Sequence, residues 1–450
     1  MNRFALLLIL SVATVAAPIR ADELRVGTFD VDASPPVGSP LAYDPTNAVQ
    51  SPLSFRGVVI AGAGKPIVLG AIDWIGISSG GQTAFCERLA SAAGTDPDRV
   101  VVHALHQHDA PRCDFAAEEL LQPHGIPGAG FDPVHARDVL VRAAAAVEKA
   151  VANAKPVTHL GLGSGVIEKV ASNRRILGPD GKVLHTRYTA TADPEIRAFP
   201  AGTIDPELKL VGFYNGDEPV AVMTYYATHP QSYYRTGLAN PDFPGMARNA
   251  REKETGVPHV HFNGAGGNIG AGKWNDGAPE NRQVLADRVA AGMRKAWESV
   301  KRQPLTADDI RWTVEPVALP VAEHLDEEAL MKTLADESTS PSERYSAAKH
   351  LVWLRRCRAG DTIDIACLAM NSARVLHMPG ELFVEYQLAA QKMRPDLFVA
   401  MAAYGDYAPG YIGTEIAYSQ GGYETSDLAS RVAPQVEGVL MAAMEKLLSE

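Results

Sequence analysis

Apolar positions along the chain fall into two periods. Residues 58–60 and 67–72 are short aliphatic runs on either side of Gly62-Ala63-Gly64-Lys65, a pattern that predicts a β-hairpin. Residues 83–93 and the Ala-rich 134–152 repeat every three to four positions and predict amphipathic helices, with a buried strand at 99–104 between them. Strands are then predicted at 208–214, 220–226 and 259–262, a helix near 245–254 and a long helix over 281–300. Residues 305–350 are more charged and read as a strand at 310–321 followed by surface helices. A single strand at 363–376, a helix at 383–392 and a closing amphipathic helix at 428–448 complete the pattern. Strands and helices that recur with short connections indicate an α/β layered fold with mixed sheets, expected as one domain over 22–450.

The first residues break this pattern. Met1-Asn2-Arg3 begins a positive start, residues 4–17 form an apolar run, and small residues follow up to Ala21. That is the layout of a signal peptide at 1–21, and the run falls short of the ~20 residues a membrane span requires. The expected product is secreted or periplasmic. Lys+Arg 42 against Asp+Glu 53 gives a net charge of −11, which excludes a protein built to hold nucleic-acid phosphates. Export also bears on the four cysteines. Cys357 and Cys367 flank the turn signal Arg358-Ala359-Gly360-Asp361, so disulfides Cys357–Cys367 and Cys86–Cys113 are expected, with buried thiols as the alternative.

Candidate chemistry is densest in Val101-Val102-His103-Ala104-Leu105-His106-Gln107-His108-Asp109-Ala110-Pro111, where a buried strand runs into a polar loop. Residues two apart in extended chain share a side, so His106 and His108 can converge as two metal ligands, or as one ligand and one acid/base. Thr228-His229-Pro230-Gln231 repeats the arrangement after another strand, and Glu381 follows a third. Strand ends at one sheet edge are where α/β proteins gather ligands.

Three other patterns compete. Gly267 to Lys273 matches a P-loop except that Trp274 replaces the Mg²⁺-binding Ser/Thr; its backbone N–H groups remain suited to an oxyanion. Gly76-Ile77-Ser78-Ser79-Gly80 is a G-x-S-x-G between strand and helix, which keeps a serine hydrolase using Ser78 open. His259-Val260-His261 has the two-apart spacing but sits inside a strand and reads as support for the glycine loop.

A string of motifs in order from Val26 to Glu424 resembles the neutral/alkaline ceramidase family, zinc-dependent amidases of N-acylsphingosines. Val26-Gly27-Thr28-Phe29-Asp30-Val31-Asp32-Ala33-Ser34-Pro35, the strand around Asp73, and His106-Gln107-His108-Asp109-Ala110-Pro111 are similar to its opening elements. Ser172-Asn173-Arg174, Ala227-Thr228-His229-Pro230, Asn240-Pro241-Asp242-Phe243-Pro244-Gly245 and Pro379-Gly380-Glu381 follow. Asp406-Tyr407-Ala408-Pro409-Gly410-Tyr411 to Tyr423-Glu424 resembles the closing Tyr-rich stretch. The resemblance implies a layered mixed-sheet domain of the neutral ceramidase type. It also implies one zinc ion per chain held by His106, His229, Glu381 and Tyr411, with His108, Arg174 and Tyr423 in the chemistry. Gly264, Gly266, Gly267, Asn268 and Gly270 would form the oxyanion and substrate loop.

Two departures stand out. Gly270 replaces the family's active-site Ser and Asn268 its Asp, and after Glu424 the chain has only one further helix where the family carries an immunoglobulin-like domain. The expected activity is zinc-dependent hydrolysis of an N-acyl amide by activated water. The substrate would be a small-molecule or lipid acyl compound, and another amide or an ester is the alternative. No membrane span is expected, whereas contact with a membrane surface is compatible with a lipid substrate.

Overall fold

The computed structural model describes residues 23–449, so the expected signal peptide lies outside the described residues. Three sheets account for most of the strands. The first joins β1 (Arg25–Asp32), β2 (Ser54–Gly62), β3 (Gly64–Ile72), β4 (Val100–Ala104) and β5 (Lys155–Pro156) in the order β4-β3-β2-β1-β5. The second joins β6 (His159–Val166), β7 (Glu207–Asn215), β8 (Glu218–Tyr226), β9 (His259–Asn263) and β10 (Lys301–Pro304) in the order β9-β8-β7-β6-β10. The third is β11 (Ile310–Val317), β12 (Ile363–Met370), β13 (Ala373–His377) and β14 (Phe398–Ala402), in that order.

Each sheet uses one device. An antiparallel hairpin hands its second strand to a helix, and the helix returns a parallel strand beside it. The crossovers are β3–α1–β4 through α1 (Ser79–Ala93), β8–α3–β9 through α3 (Asp242–Thr255), and β13–α6–β14 through α6 (Val384–Met393). Here α2 is Pro133–Ala152, α4 is Glu280–Glu298 and α5 is Pro341–Ala359. Local chemistry sets the helix ends. Asp132 accepts from Val134 N and His135 N ahead of Pro133 in α2, Ser340 and Glu343 form a capping box for α5, and α1 stops at Gly94 with φ 67°.

The inner faces of all three sheets share one apolar core that includes Val58, Leu69, Met223, Val260, Leu368 and Val375. α1 and α2 cover the first sheet and α3 and α4 the second, so the core strands are buried on both faces and read as continuous apolar runs. Backbone bonds tie the strand ends together: Ala104 N donates to Tyr404 O (2.9 Å), Ala403 N to Asn263 O (2.9 Å), and Gly267 N to Leu382 O (2.8 Å). The C-terminal ends of β4, β8, β9, β13 and β14 therefore meet in one place.

Three sequence expectations are corrected. Residues 363–376 form two strands, because Asn371 takes φ 49° and turns the chain back with Met370 opposite Ala373. The closing helix, α7 (Val436–Ser449), begins eight residues later than the periodicity suggests, after Pro434, while Leu428 is exposed. Among the charged residues 305–350, α5 is not a surface helix: it buries Tyr345, Leu351, Trp353 and Leu354.

Candidate metal centre

β4 delivers His106 and His108, β8 delivers His229, β13 delivers Glu381 and the segment after β14 delivers Tyr404 and Tyr407. His106 leaves the strand with φ 69°, an unusual conformation for a residue with a side chain, and its N–H donates to Trp74 O at 2.9 Å. This left-handed step brings His106 and His108 to ring centroids 5.0 Å apart. His103 points elsewhere and bonds His377 Nδ1 through its Nε2 at 3.0 Å.

The hydrogen bonds fix the tautomers. A carbonyl can only accept, so His106 Nδ1 donates to Ile75 O (2.6 Å), His108 Nδ1 to Pro230 O (3.2 Å) and His229 Nδ1 to Gly266 O (3.4 Å). All three Nε2 lone pairs are then directed inward, and the ligand atoms of the three rings lie within 4.8 Å of one another. His229 Nε2 and His108 Nε2 stand 3.3 Å apart, which is about the edge of a tetrahedron with metal–nitrogen bonds of about 2.05 Å. His106 Nε2 and Glu381 Oε2 face each other at 3.1 Å, both buried and neither with a hydrogen-bond donor. Lone pairs of three buried imidazoles that converge, with the Glu381 carboxylate beside that of His106, repel unless a cation lies among them, so the donor set fits a zinc-type ion.

Electrostatics reinforce this. Burial, helped by the neighbouring Arg174 guanidinium, holds the His108 and His229 imidazoles well below their ordinary pKa and so neutral at neutral pH. Burial alone would raise Glu381, but the Tyr407 hydroxyl that donates to it and the nearby Arg174 guanidinium work against burial, and the carboxyl stays low. Tyr407 donates to Glu381 Oε1 and fixes the carboxylate as an outer partner. Tyr411 lies opposite Glu381 in a two-residue parallel ladder, its ring stacked on His229 at 6.3 Å. Its hydroxyl accepts from Arg174 Nη1 at 3.0 Å. Arg174 is buried and also pairs with Glu424 at 3.2 Å. Tyr423 forms an edge contact with Tyr411 at 5.8 Å and reaches the rim. The cavity above this floor measures about 440 Å³.

Sequence reasoning thus reached His106, His108, Arg174, His229, Glu381, Tyr411 and Tyr423, and the structure brings six of them to one cavity, with His229 fully buried against His106 and His108. It missed Tyr43, Tyr188, Gln231, Tyr234 and Tyr407, which also line it. Tyr407 and Gln231 lie inside quoted motifs, whereas the other three come from loops with no pattern. The oxyanion assignment of the glycine loop is corrected. Gly264 N donates to Tyr226 O and Gly267 N to Leu382 O, both at 2.8 Å, and Asn268 bonds Glu385 and Val384 N at the start of α6. The loop is a scaffold: Gly266 O orients His229, and a Cβ on Gly267 would strike the Glu381 carbonyl. Gly270 sits beside Arg174 and Thr189, and its position leaves a Cβ 3.0 Å from Thr189 Oγ1.

Ser78 is the N-cap of α1 and lines no part of the cavity, and no described histidine hydrogen-bonds it. Lys273 donates to the carbonyls of Arg197, Ala198 and Phe199 instead of meeting a phosphate. His259 and His261 bond Val257 O and Thr224 within their sheet. The expected disulfides are not formed: all four cysteines are thiols. Cys86 sits on α1 with its Sγ toward Val100 O, Cys113 faces Gly81, Cys357 lies in the last turn of α5 and Cys367 within β12.

Two carboxylates hold the loop that carries Gln231 and Tyr234. Asp109 accepts from Thr236, and Asp242, with φ 50°, accepts from Ser232, Tyr233 N (3.1 Å) and Phe243 N (2.6 Å). Burial pushes Asp242 from 3.8 up to about 6. The native state then holds a proton that the unfolded chain has lost, so this group's contribution to stability falls as pH rises from about 4 to about 6, by about 3 kcal/mol in all. Asp242→Asn removes that slope, which subtracting the two melting-temperature-versus-pH curves shows directly; coincident curves would refute the linkage.

No family model matches the chain, and no curated protein matches it. Solved structures do. The neutral ceramidase from Pseudomonas aeruginosa superposes with a TM-score of 0.67 at 15% identity, over 95% of this chain and 74% of that one. A ceramidase complexed with C2 gives 0.67 at 14% identity, over 95% and 75%. The chain has the neutral ceramidase fold, as the sequence motifs led us to expect.

Proposed function

We propose that the protein is an exported, metal-dependent hydrolase that cleaves an N-acyl amide bond, with His106, His229 and Glu381 holding one zinc ion and Tyr411 beside them. The convergence of inward lone pairs at the cavity floor, with His106 Nε2 and Glu381 Oε2 left without donors, carries this reading. The neutral ceramidase fold supports amide cleavage. A bound zinc ion would supply Lewis acidity, polarising an acyl carbonyl and acidifying water.

The chain's own groups do the rest. Neutral His108, 3.3 Å from His229, can accept the proton that water loses and return it to the departing nitrogen. The C–N bond breaks, the acyl carbon takes oxygen from water, and the amine leaves with the proton. Arg174, kept protonated by Tyr411 and Glu424 against the pull of burial, and the Tyr411 hydroxyl, which burial holds protonated, point positive charge at the oxygen that becomes negative. A second reading makes His108 a third imidazole ligand, since its Nε2 stands 3.3 Å from that of His229 and within 4.8 Å of the His106 ligand atom.

The test is elemental analysis of the purified protein alongside hydrolysis of a panel of N-acyl amides with and without chelator. Near-stoichiometric zinc and chelator-sensitive amide cleavage are expected. Absence of metal, or cleavage indifferent to chelator and lost in Ser78→Ala, would overturn the proposal.

A further inference from the structure

Amide hydrolysis leaves the substrate open, and the walls of the cavity narrow it. Six of its twelve lining residues are tyrosines, and Ala190 is the one aliphatic side chain among them. Four tyrosines form the rim, Tyr43, Tyr188, Tyr234 and Tyr423, each between 40% and 47% exposed. They make two walls. On the His108 side, Tyr43 stacks on the imidazole (5.9 Å, 16°) and meets Tyr234 edge-on at 5.1 Å, and the Arg235 guanidinium lies over both rings. On the Tyr411 side, Tyr188 meets Tyr423 edge-on at 6.1 Å, with the Arg174 guanidinium over Tyr188 at 5.2 Å.

A long acyl chain gains from a pocket only by leaving water for apolar walls. The apolar surface of this cavity is almost entirely tyrosine ring face rather than aliphatic wall: the exposed aliphatic residues nearest the rim segments in sequence, Val37, Leu184, Ile416 and Leu428, lie outside its lining. Aromatic walls with polar edges instead favour the flat face of a ring that also carries polar groups. A second observation points the same way. Gln231 is partly exposed on the cavity wall and its Oε1 has no donor among the described residues, so a turn of the side chain toward the cavity lets it take an N–H or O–H from the substrate.

We propose, resting on the amide-hydrolase reading above, that the site takes a short-acyl amide of a polar, ring-bearing amine, with the ring held between the two tyrosine walls and a polar hydrogen donated to Gln231. An N-acetylated amino sugar and an N-acetylated aromatic amino acid are the two sources of that chemistry.

The test compares N-acetylglucosamine, N-acetylphenylalanine amide and N-palmitoylsphingosine as substrates of the protein as isolated, each with and without chelator. Binding of the amines glucosamine and phenylalanine amide is followed separately by calorimetry. One of the acetyl amides is expected to exceed the palmitoyl amide at least 100-fold in kcat/KM, and which one identifies the source. Tyr43→Ala and Tyr234→Ala are expected to raise KM about tenfold with kcat within threefold, and to weaken amine binding in parallel. Chelator-sensitive cleavage of the palmitoyl amide in preference would overturn this inference and leave the hydrolase standing, as would unchanged KM and amine binding in both tyrosine variants. Refusal of all three amides would overturn both.

Discussion

On the proposed amide-hydrolase reading, His106→Ala is expected to empty the metal centre and lower amide turnover on the order of 10³-fold or more, because one proposed ligand and the group facing Glu381 disappear together. The loss extends beyond one lone pair. His106 N–H and Nδ1 anchor the loop to Trp74 O and Ile75 O, and its ring stacks on Tyr404 at 4.5 Å. The measurement pairs zinc content with turnover, and circular dichroism confirms that the fold persists. Full zinc and full activity in the variant would refute the assignment. A variant that keeps its metal but loses turnover would move His106 from the ligands to the chemistry.

The second large effect lies away from the metal. Arg248 on α3 makes a bidentate pair with Asp73 at the end of β3, at 2.7 and 2.9 Å, and both groups are buried. Asp73 also accepts from Ser54 N and Oγ at 2.8 Å, while its carbonyl takes the Gln107 amide from the histidine loop. Arg248→Met leaves the carboxylate buried without its cation and is expected to cost about 3–5 kcal/mol of stability. Urea denaturation reads this directly. Arg248→Met combined with Asp73→Asn should recover a good part of the loss, since the uncompensated charge is then gone. A loss below about 1 kcal/mol in the single variant would show that water reaches the pair.

Periodicity located the elements that carry the site because each is a buried strand followed by a helix, the strongest local signal a sequence contains. It failed where one residue decides. Asn371 splits a strand and Pro434 delays a helix, each through a backbone preference that a sliding window averages away. The two-apart rule brought His106 and His108 together for an incomplete reason: they converge through a left-handed turn at His106, not along extended chain. The tyrosine walls were not legible. Tyr43, Tyr188 and Tyr234 lie in loops more than forty residues apart, and only the meeting of three sheets brings them to one rim. The glycine loop showed its composition but hid its hydrogen bonds, which fasten strand ends and leave Gly264 and Gly267 no donor for a substrate. The cysteine spacing misled because a separation of ten positions between Cys357 and Cys367 suggested a hairpin, whereas the chain passes from a helix into a strand.

The native thiols have a practical use. Burial lifts Cys86 to about 12 and Cys357 to about 11, pushes Cys113 well above 9, and leaves Cys367 2% exposed. At pH 7 the thiolate fractions of Cys86 and Cys357 are about 10⁻⁵ and about 10⁻⁴, far below those of an ordinary surface cysteine. A cysteine introduced at Leu428, 81% exposed and five residues from Tyr423, would therefore outcompete every native thiol for a maleimide dye. A fluorophore placed there would mark one exposed position in the otherwise unaltered protein, with no native cysteine removed.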